Sequence, residues 1–197
     1  MPTPPDHPPA TLYFDFVDPL SFLMDREISE AEASSGIHVR RIGIEINPPP
    51  LPLAESGDPL WAERWSRAAA LADGLDLALE RPSIVPWSRK AHELVWHAEE
   101  HGAADEIRSA VFRAFFLEGL DIGRVDVLVS LAGRAGLDVT ETKAVLDVDR
   151  FSASVSDRRD EVVASGVDAV PSLVAGARSL QGFHNRASLG TFLRGST

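Results

Sequence analysis

Hydrophobic residues along this chain follow two spacings, and the order in which those spacings alternate predicts the architecture. Apolar and β-branched residues that alternate or run together predict four strands, at residues 11–17, 37–46, 171–175 and 179–181. Apolar residues three or four positions apart predict helices, at residues 20–31, 59–79, 91–98, 107–115, 125–135, 140–146, 151–162 and 187–193. The predicted order is strand, helix, strand, several helices, strand, strand, helix.

This order predicts a mixed sheet in an α/β domain. Two strands joined by a helix pair in parallel with a right-handed crossover, and the last two strands form an antiparallel hairpin across Gly176-Ala177. Helices on both faces of such a sheet make a three-layer domain. We predict a single domain over residues 11–197, with a helical insertion at about 58–148 and a flexible, proline-rich tail over residues 1–10.

The chain contains no cysteine. This excludes disulfides, thiolate metal ligands and a cysteine nucleophile together, because each of them needs a protein thiol. Only histidines and carboxylates remain as side chains that bind metal ions.

The charge and the hydropathy of the chain argue against two classes of partner, nucleic acids and membranes. The formal net charge is −11, and the only lysines are Lys90 and Lys143. Nucleic acids bind through clustered cations that release counterions from the phosphates, so we expect no nucleic-acid partner. The first nine residues lack the basic start and apolar core of a signal peptide, and no stretch approaches ~20 apolar residues. We therefore expect a cytoplasmic protein with no membrane partner.

The first candidate site is Asp18-Pro19-Leu20-Ser21, between the first predicted strand and the first predicted helix. A helix N-terminus presents unpaired N–H groups and the positive end of the dipole, which attract anions and stabilise thiolates. Asp-Pro is also a common helix start, and Asp58-Pro59 repeats it. Local signals leave an active site and a plain N-cap as alternatives, and in both cases the Asp18 carboxylate should accept from the N–H of Leu20 or Ser21.

The second candidate is the loop Gly166-Val167-Asp168-Ala169-Val170-Pro171, which places a proline at the entrance to a strand. Proline is tolerated there at an edge or in a special turn. Most X–Pro bonds are trans, so the local sequence by itself predicts a trans bond.

Five segments carry a resemblance to a known family: residues 13–23, 91–94, 112–123, 167–173 and 180–193. In this order the chain resembles the DsbA-like branch of the thioredoxin superfamily. It is most similar to the FrnE-type proteins, the 2-hydroxychromene-2-carboxylate isomerases and the kappa-class glutathione transferases. The resemblance implies a thioredoxin-like fold, a mixed four-stranded sheet with an all-helical insertion, and a cis bond before Pro171.

The chain departs from this family at the centre of the site. Family oxidoreductases carry Cys-Pro-x-Cys where this chain has Asp18-Pro19-Leu20-Ser21. The isomerase and transferase branch carries serine at the first of these positions and uses it to hold the thiol of glutathione. Disulfide exchange is excluded, since attack needs a thiolate. The resemblance implies Asp18 and Ser21 as the catalytic positions, with glutathione as the cofactor and no metal.

The resemblance also implies the residues that contact the ligand. They are the backbone of Val170 and Pro171, Asn47 after the second strand, and Asn185, where the isomerase branch has an aspartate that reaches glutathione. A plain N-cap role on the last helix explains Asn185 equally well. The partner is then a small molecule or a peptide, and both a monomer and a homodimer remain open.

The charge of Asp18 decides what the site can hold. Backbone N–H donors and the helix dipole lower the pKa of a carboxyl group, whereas burial raises it. We expect a half-open groove that removes only part of the water, so that the donors dominate and Asp18 is ionised at neutral pH. An ionised Asp18 would repel a thiolate, so glutathione would bind with its thiol protonated.

The spacing of the histidines predicts no metal site. His92 and His97 are five residues apart and point ~140° away from each other on a helix, so they cannot share one ion. His97 and His101 have the i, i+4 spacing, but they lie at a helix C-terminus, where the dipole favours histidine.

Two functions remain. The first is a glutathione-dependent isomerase or transferase acting on a small organic substrate, with Asp18 as acid or base. The second is a catalytically inactive member of the family that binds a ligand or a partner through the same site.

Overall fold

The computed structural model describes residues 10–55 and 57–195, which form an α/β domain. Its strands are β1 (Ala10–Phe14), β2 (Val39–Gly43), β3 (Ala54–Glu55), β4 (Ile84–Val85), β5 (Ser172–Ala175) and β6 (Arg178–Gln181). Its helices are α1 (Pro19–Ser35), α2 (Pro59–Asp73), α3 (Arg89–Glu100), α4 (Ala104–Phe116), α5 (Val125–Arg134), α6 (Val139–Asp147), α7 (Ser152–Ala164) and α8 (Arg186–Leu193).

The four-stranded sheet has the order β2-β1-β5-β6. β1 and β2 are parallel, with Leu12 opposite Arg41, and β5 is antiparallel to both β1 and β6. This is the predicted mixed sheet, and its thioredoxin-like fold is confirmed. β3 and β4 form a separate two-stranded sheet that was not predicted from the sequence.

The strand and helix boundaries differ from prediction where local geometry overrides the apolar pattern. The first strand ends at Phe14 rather than at residue 17, because the chain turns and the N–H of Asp18 donates to the carbonyl of Asp15 at 3.2 Å. The second strand is limited to Val39–Gly43. Helix α2 ends at Asp73 instead of residue 79, since Gly74 closes it and a turn follows.

The core lies between the sheet and helices α1 to α5. Its largest fully buried side chains include Phe14 and Phe16 from the first strand and turn, and Phe112, Phe115 and Phe116 from α4. Helix α1 packs against α2 and α8, while α3 packs against α4, α5, α6 and α7. α1 is therefore the helix that brings the β1 turn and the α2 side chains together.

Two expectations concern the ends of the chain and membranes. Of the predicted tail 1–10, residues 1–9 lie outside the described residues, and Ala10 is the first residue of β1. Within the described residues, no helix combines the length and apolar character needed to cross a bilayer.

Candidate functional site

The site is built on the turn between β1 and α1. Asp18 has extended backbone (φ −90°, ψ 115°) and caps α1, and Pro19 follows it with no N–H to leave unpaired. The Asp18 carboxylate oxygen Oδ2 accepts from the backbone N–H of Ser21 at 2.8 Å and from the Ser21 hydroxyl at 2.6 Å. The predicted N-cap interaction is thus present, with Ser21 as donor.

Arg64 on α2 completes the site, and it was not predicted from the sequence. Its Nε and Nη2 donate to Oδ1 of Asp18 at 2.9 and 2.6 Å, a two-point ion pair between residues 46 positions apart. Hydrogen bonds between two charged groups are roughly twice as strong as those between neutral groups. One signal existed in the sequence, because Arg64 follows Trp61 by three residues and precedes Ala68 by four, which places a cation on the buried stripe of α2.

Arg64 also joins the proline loop to the turn. Its Nη2 donates to the backbone carbonyl of Val170 at 2.6 Å, and the Val170–Pro171 peptide bond is cis. The carbonyl of Pro171 accepts from the N–H of Gly182 beyond β6, at 2.8 Å. A single guanidinium therefore holds together the start of α1 and the loop before β5.

A second layer of buried polar groups supports the turn from behind. Oδ1 of Asp15 lies 3.2 Å from Nε2 of His92 on α3, and its Oδ2 accepts from the N–H of Ile46 at 2.8 Å. The Asp15 N–H donates to the Ser21 hydroxyl at 3.4 Å. Because Asp15, Ser21 and His92 are all buried, these bonds position the turn rather than meet a ligand directly.

Asp18 is more deeply buried than it would be in the half-open groove that the sequence led us to expect. Asp18 is only 1% exposed. Burial raises the pKa of Asp18 above its ordinary value, and the Arg64 guanidinium and the Ser21 donors offset part of that rise. The expectations of partial desolvation and of donors that dominate over burial were therefore both wrong, because burial has the largest effect on the pKa of Asp18. Asp18 is covered by Arg64, whose side chain is 29% exposed and is the charged group that a ligand meets.

A cavity of about 890 Å³ opens in front of this pair. Asp18, Arg64 and Val170 line it, together with apolar and polar residues of the β2–α2 segment and β4: Ile46, Asn47, Leu53, Ala54, Leu60, Trp61 and Val85 among others. The side chain of Asn47 donates to the carbonyl of Pro52 at 2.9 Å and so shapes the wall of the cavity. Ile46, Leu53 and Leu60 are exposed, which gives the mouth an apolar rim.

The predicted site residues fall into three groups. Asp18, Asn47 and Val170 line the cavity, whereas Ser21 and Pro171 lie buried behind its wall. Asn185 is not among the lining residues, and its Oδ1 caps α8 by accepting from the N–H of Ser188 at 3.0 Å. The capping interpretation of Asn185 therefore accounts for its position.

Comparison with known sequences places the chain in a family. A family model described as a DSBA-like thioredoxin domain matches residues 11–192. The uncharacterized protein YwbO of Bacillus subtilis (strain 168) is 30% identical over 140 residues, which cover 69% of this chain and 70% of that protein.

Solved structures show the same fold at lower identity. A probable DsbA oxidoreductase from Streptomyces coelicolor has a TM-score of 0.79 and 21% identity, covering 97% of this chain and 92% of that one. A 2-hydroxychromene-2-carboxylate isomerase has a TM-score of 0.77 and 17% identity, with 94% and 93% covered. The cytosolic disulfide reductase DsbM from Pseudomonas aeruginosa, solved with GSH, has a TM-score of 0.67 and 19% identity, with 94% and 97% covered.

Proposed function

We propose that this chain, which belongs to the DSBA-like thioredoxin domain family, is a glutathione-dependent isomerase or transferase. It would act on a small organic substrate in the cytoplasm. The observation that carries this proposal is the cavity of about 890 Å³ that opens onto the Arg64–Asp18 pair. Ligand pockets for small molecules are concave, mostly apolar, and carry a few placed polar groups, and their volumes run to about 1,000 Å³. This cavity matches that description.

Arg64 changes the electrostatics that a thiolate would meet. An isolated, ionised Asp18 would oppose a thiolate, but the Asp18 charge is buried and paired with Arg64. Nη1 of Arg64 makes no hydrogen bond within residues 10–55 and 57–195, so the guanidinium keeps donors for a ligand. A cation beside a thiol favours its ionised form. We assign to Arg64 the stabilisation of the glutathione sulfur, and to Asp18 and Ser21 the orientation of Arg64.

The rest of the cavity suits the second substrate. Trp61 and Val85 offer buried apolar walls, and the exposed Leu53 and Leu60 stand at the mouth. An aromatic or otherwise apolar organic molecule would cover the exposed Leu53 and Leu60, and each Å² of apolar surface removed from water contributes about 25 cal/mol. The likeness to an isomerase structure and to a reductase structure solved with GSH supports the choice of glutathione as the co-substrate.

The experiment that tests this proposal is a titration with glutathione and with S-alkyl glutathiones, followed by thermal shift and calorimetry. A ligand that binds only the folded state raises its stability, by about 2.7 kcal/mol at one hundred times Kd. We expect a saturable rise in melting temperature for the wild type, and its loss in Arg64→Met. Arg67→Met, on the exposed side of α2, is the matched control and should bind as the wild type does.

Because Arg64→Met lowers stability by itself, its binding is measured by calorimetry at a temperature where the variant is folded. No shift of the wild type at millimolar glutathione would contradict the proposal. Equal affinity of Arg64→Met and wild type would contradict the role given to Arg64.

A second candidate function is an inactive ligand- or partner-binding module. One contact favours it, since the Val170 carbonyl, a backbone group that the resemblance assigns to the ligand, already accepts from Arg64 at 2.6 Å. The two functions differ in turnover. An active enzyme conjugates or isomerises aromatic substrates only with glutathione present, whereas a binding module shows the thermal shift without product.

A further inference from the structure

We propose that His97, His101 and Glu141 form a binding site for one divalent transition-metal ion of the Zn²⁺ class, which links α3 to α6. These residues do not line the cavity at Arg64, so this inference is independent of the function proposed above. His97 lies in the last turn of α3, His101 is its C-cap residue, and Glu141 lies in the first turn of α6. The ligand atoms of the three side chains all lie within 4.8 Å of one another.

The strongest observation is the environment of His97. Its side chain is buried, at 1% exposure, and neither Nδ1 nor Nε2 has a hydrogen-bond partner within residues 10–55 and 57–195. A buried polar group without a partner destabilises the folded state, because it loses its hydrogen bonds to water and gains none. A metal ion bound to one ring nitrogen would satisfy that nitrogen, and the ring of His97 already faces that of His101 with the centroids 4.6 Å apart.

His101 is held in the form that binds metal. Its Nδ1 lies 3.0 Å from the carbonyl oxygen of His97, which can only accept, so Nδ1 is the donor. In a neutral ring, Nε2 then carries a lone pair, and it faces Oε2 of Glu141 at 3.7 Å. Metal-bound histidines typically donate their other N–H to a carbonyl or a carboxylate in this way. Without a cation, the lone pairs of Nε2 and Oε2 would face and repel each other. A metal ion between them would be bound by both.

The three ligand atoms, which lie within 4.8 Å of one another, must draw closer together to bind a zinc ion. With Zn–N and Zn–O bonds of about 2.0–2.1 Å in a tetrahedral site, ligand atoms are roughly 3.3 Å apart. The 3.7 Å between His101 and Glu141 is close to that value, and Glu141 is exposed enough to move. Two imidazoles and one carboxylate leave the fourth position to water, a set that suits Zn²⁺, Co²⁺ or Ni²⁺ and not the oxygen-seeking Ca²⁺ or Mg²⁺.

The charged groups around the cluster permit a cation. Glu100 and Arg150 are the other charged residues that influence His97, and they pair with each other at 3.2 Å, so the Arg150 charge is largely compensated. The i, i+4 histidines were visible in the sequence, but Glu141 joins them only through the packing of α6 on α3.

The test uses the full chain, free of any affinity tag and stripped of metal by a chelator. Zn²⁺ is titrated by calorimetry, and Co²⁺ is titrated by its visible absorption, which is strong only in a tetrahedral site. We expect one ion per chain and a rise in melting temperature with Zn²⁺. His101→Ala and Glu141→Gln should each weaken binding by about tenfold or more and lose most of the cobalt absorption.

His38→Ala is the matched control, because His38 is an exposed histidine 3.5 Å from a glutamate, Glu32, and lies outside the cluster. It should bind zinc as the wild type does. Both test variants change partly exposed side chains, so folding is retained, as far-ultraviolet circular dichroism would show. Absence of saturable binding, or equal affinity of the wild type, His101→Ala and Glu141→Gln, would overturn the proposal.

Discussion

At the scale of single residues, the site depends on one buried carboxylate and the guanidinium that covers it. Asp18 stands where family members place a reactive group, yet it accepts four hydrogen bonds, two from Ser21 and two from Arg64. All these bonds favour the charged carboxylate, whereas burial opposes it. Asp18 therefore shapes the site through Arg64, and Arg64 is the residue whose replacement reports on both stability and binding.

Replacing Arg64 by methionine keeps the apolar stem and removes the charge. Breaking a fully buried ion pair costs about 3–5 kcal/mol, and the 29% exposure of the Arg64 side chain lets water compensate part of that. We expect a loss of about 2–3 kcal/mol in the free energy of unfolding at pH 7, measured by urea denaturation. Arg67→Met should change it by less than about 0.5 kcal/mol. A loss in Arg64→Met as small as that of the control would show that the pair contributes nothing to stability.

The same variant should have a distinct pH dependence. Arg64 lowers the pKa of Asp18, so its removal raises that pKa further above the unfolded value of about 3.9. A carboxyl group with a raised folded pKa contributes stability that is fully present below its unfolded pKa and is lost as the pH rises through the folded pKa. The stability deficit of Arg64→Met relative to Arg67→Met should therefore be smaller at pH 5 than at pH 7.5. A deficit that grows toward acid pH would mean that Asp18 is not the group left unpaired.

At the scale of elements, helix starts were the most predictable features and strand ends the least. Asp18, Asp58 and Asn185 all cap helices with their side chains, because capping is a local interaction that sequence records. Phe16 and Val17 continue the apolar pattern of β1, but the turn that Asp15 and His92 stabilise removes residues 15–17 from the sheet. β3 and β4 have only two residues each, which is too few for an alternation of apolar and polar positions to be recognised in the sequence.

The contact between β2 and α3 depends on the absence of a side chain at Gly43. A Cβ atom there would overlap Nδ1 of His92, so Gly43→Ala must displace the imidazole and break its contact with Asp15. We expect Gly43→Ala to lower the free energy of unfolding by about 1–3 kcal/mol.

Gly74→Ala is the matched control for this substitution. Its backbone has φ −69° and ψ −13°, and the nearest atom to an added Cβ lies 3.5 Å away. Alanine at such a compatible position should be neutral or stabilising by up to about 1 kcal/mol. Equal stabilities of the two variants in urea would show that His92 can move without cost.

At the scale of the whole molecule, the fold was predictable and the site only in part. The strand order and the resemblance led to a thioredoxin-like domain, which the family match and the solved structures confirm. Asp18 and Val170 were found because family motifs mark them. Arg64 was missed, since it meets Asp18 across 46 residues and Val170 across 106, and no local pattern records such contacts.

The absence of cysteine leads to the last prediction, which concerns redox chemistry. Thiol–disulfide exchange requires a thiolate on the protein, so the wild type should not catalyse the reduction of insulin or oxidative refolding. The double variant Asp18→Cys with Ser21→Cys is the informative comparison, because the two side chains are in contact, with the Ser21 hydroxyl donating to Oδ2 of Asp18 at 2.6 Å. Arg64 and the start of α1 should lower the pKa of a thiol at position 18 and make it reactive. We expect insulin turnover in the double variant and none in the wild type. Turnover by the wild type, or a double variant whose cysteines do not pair under oxidising conditions, would contradict this geometry of the turn between β1 and α1.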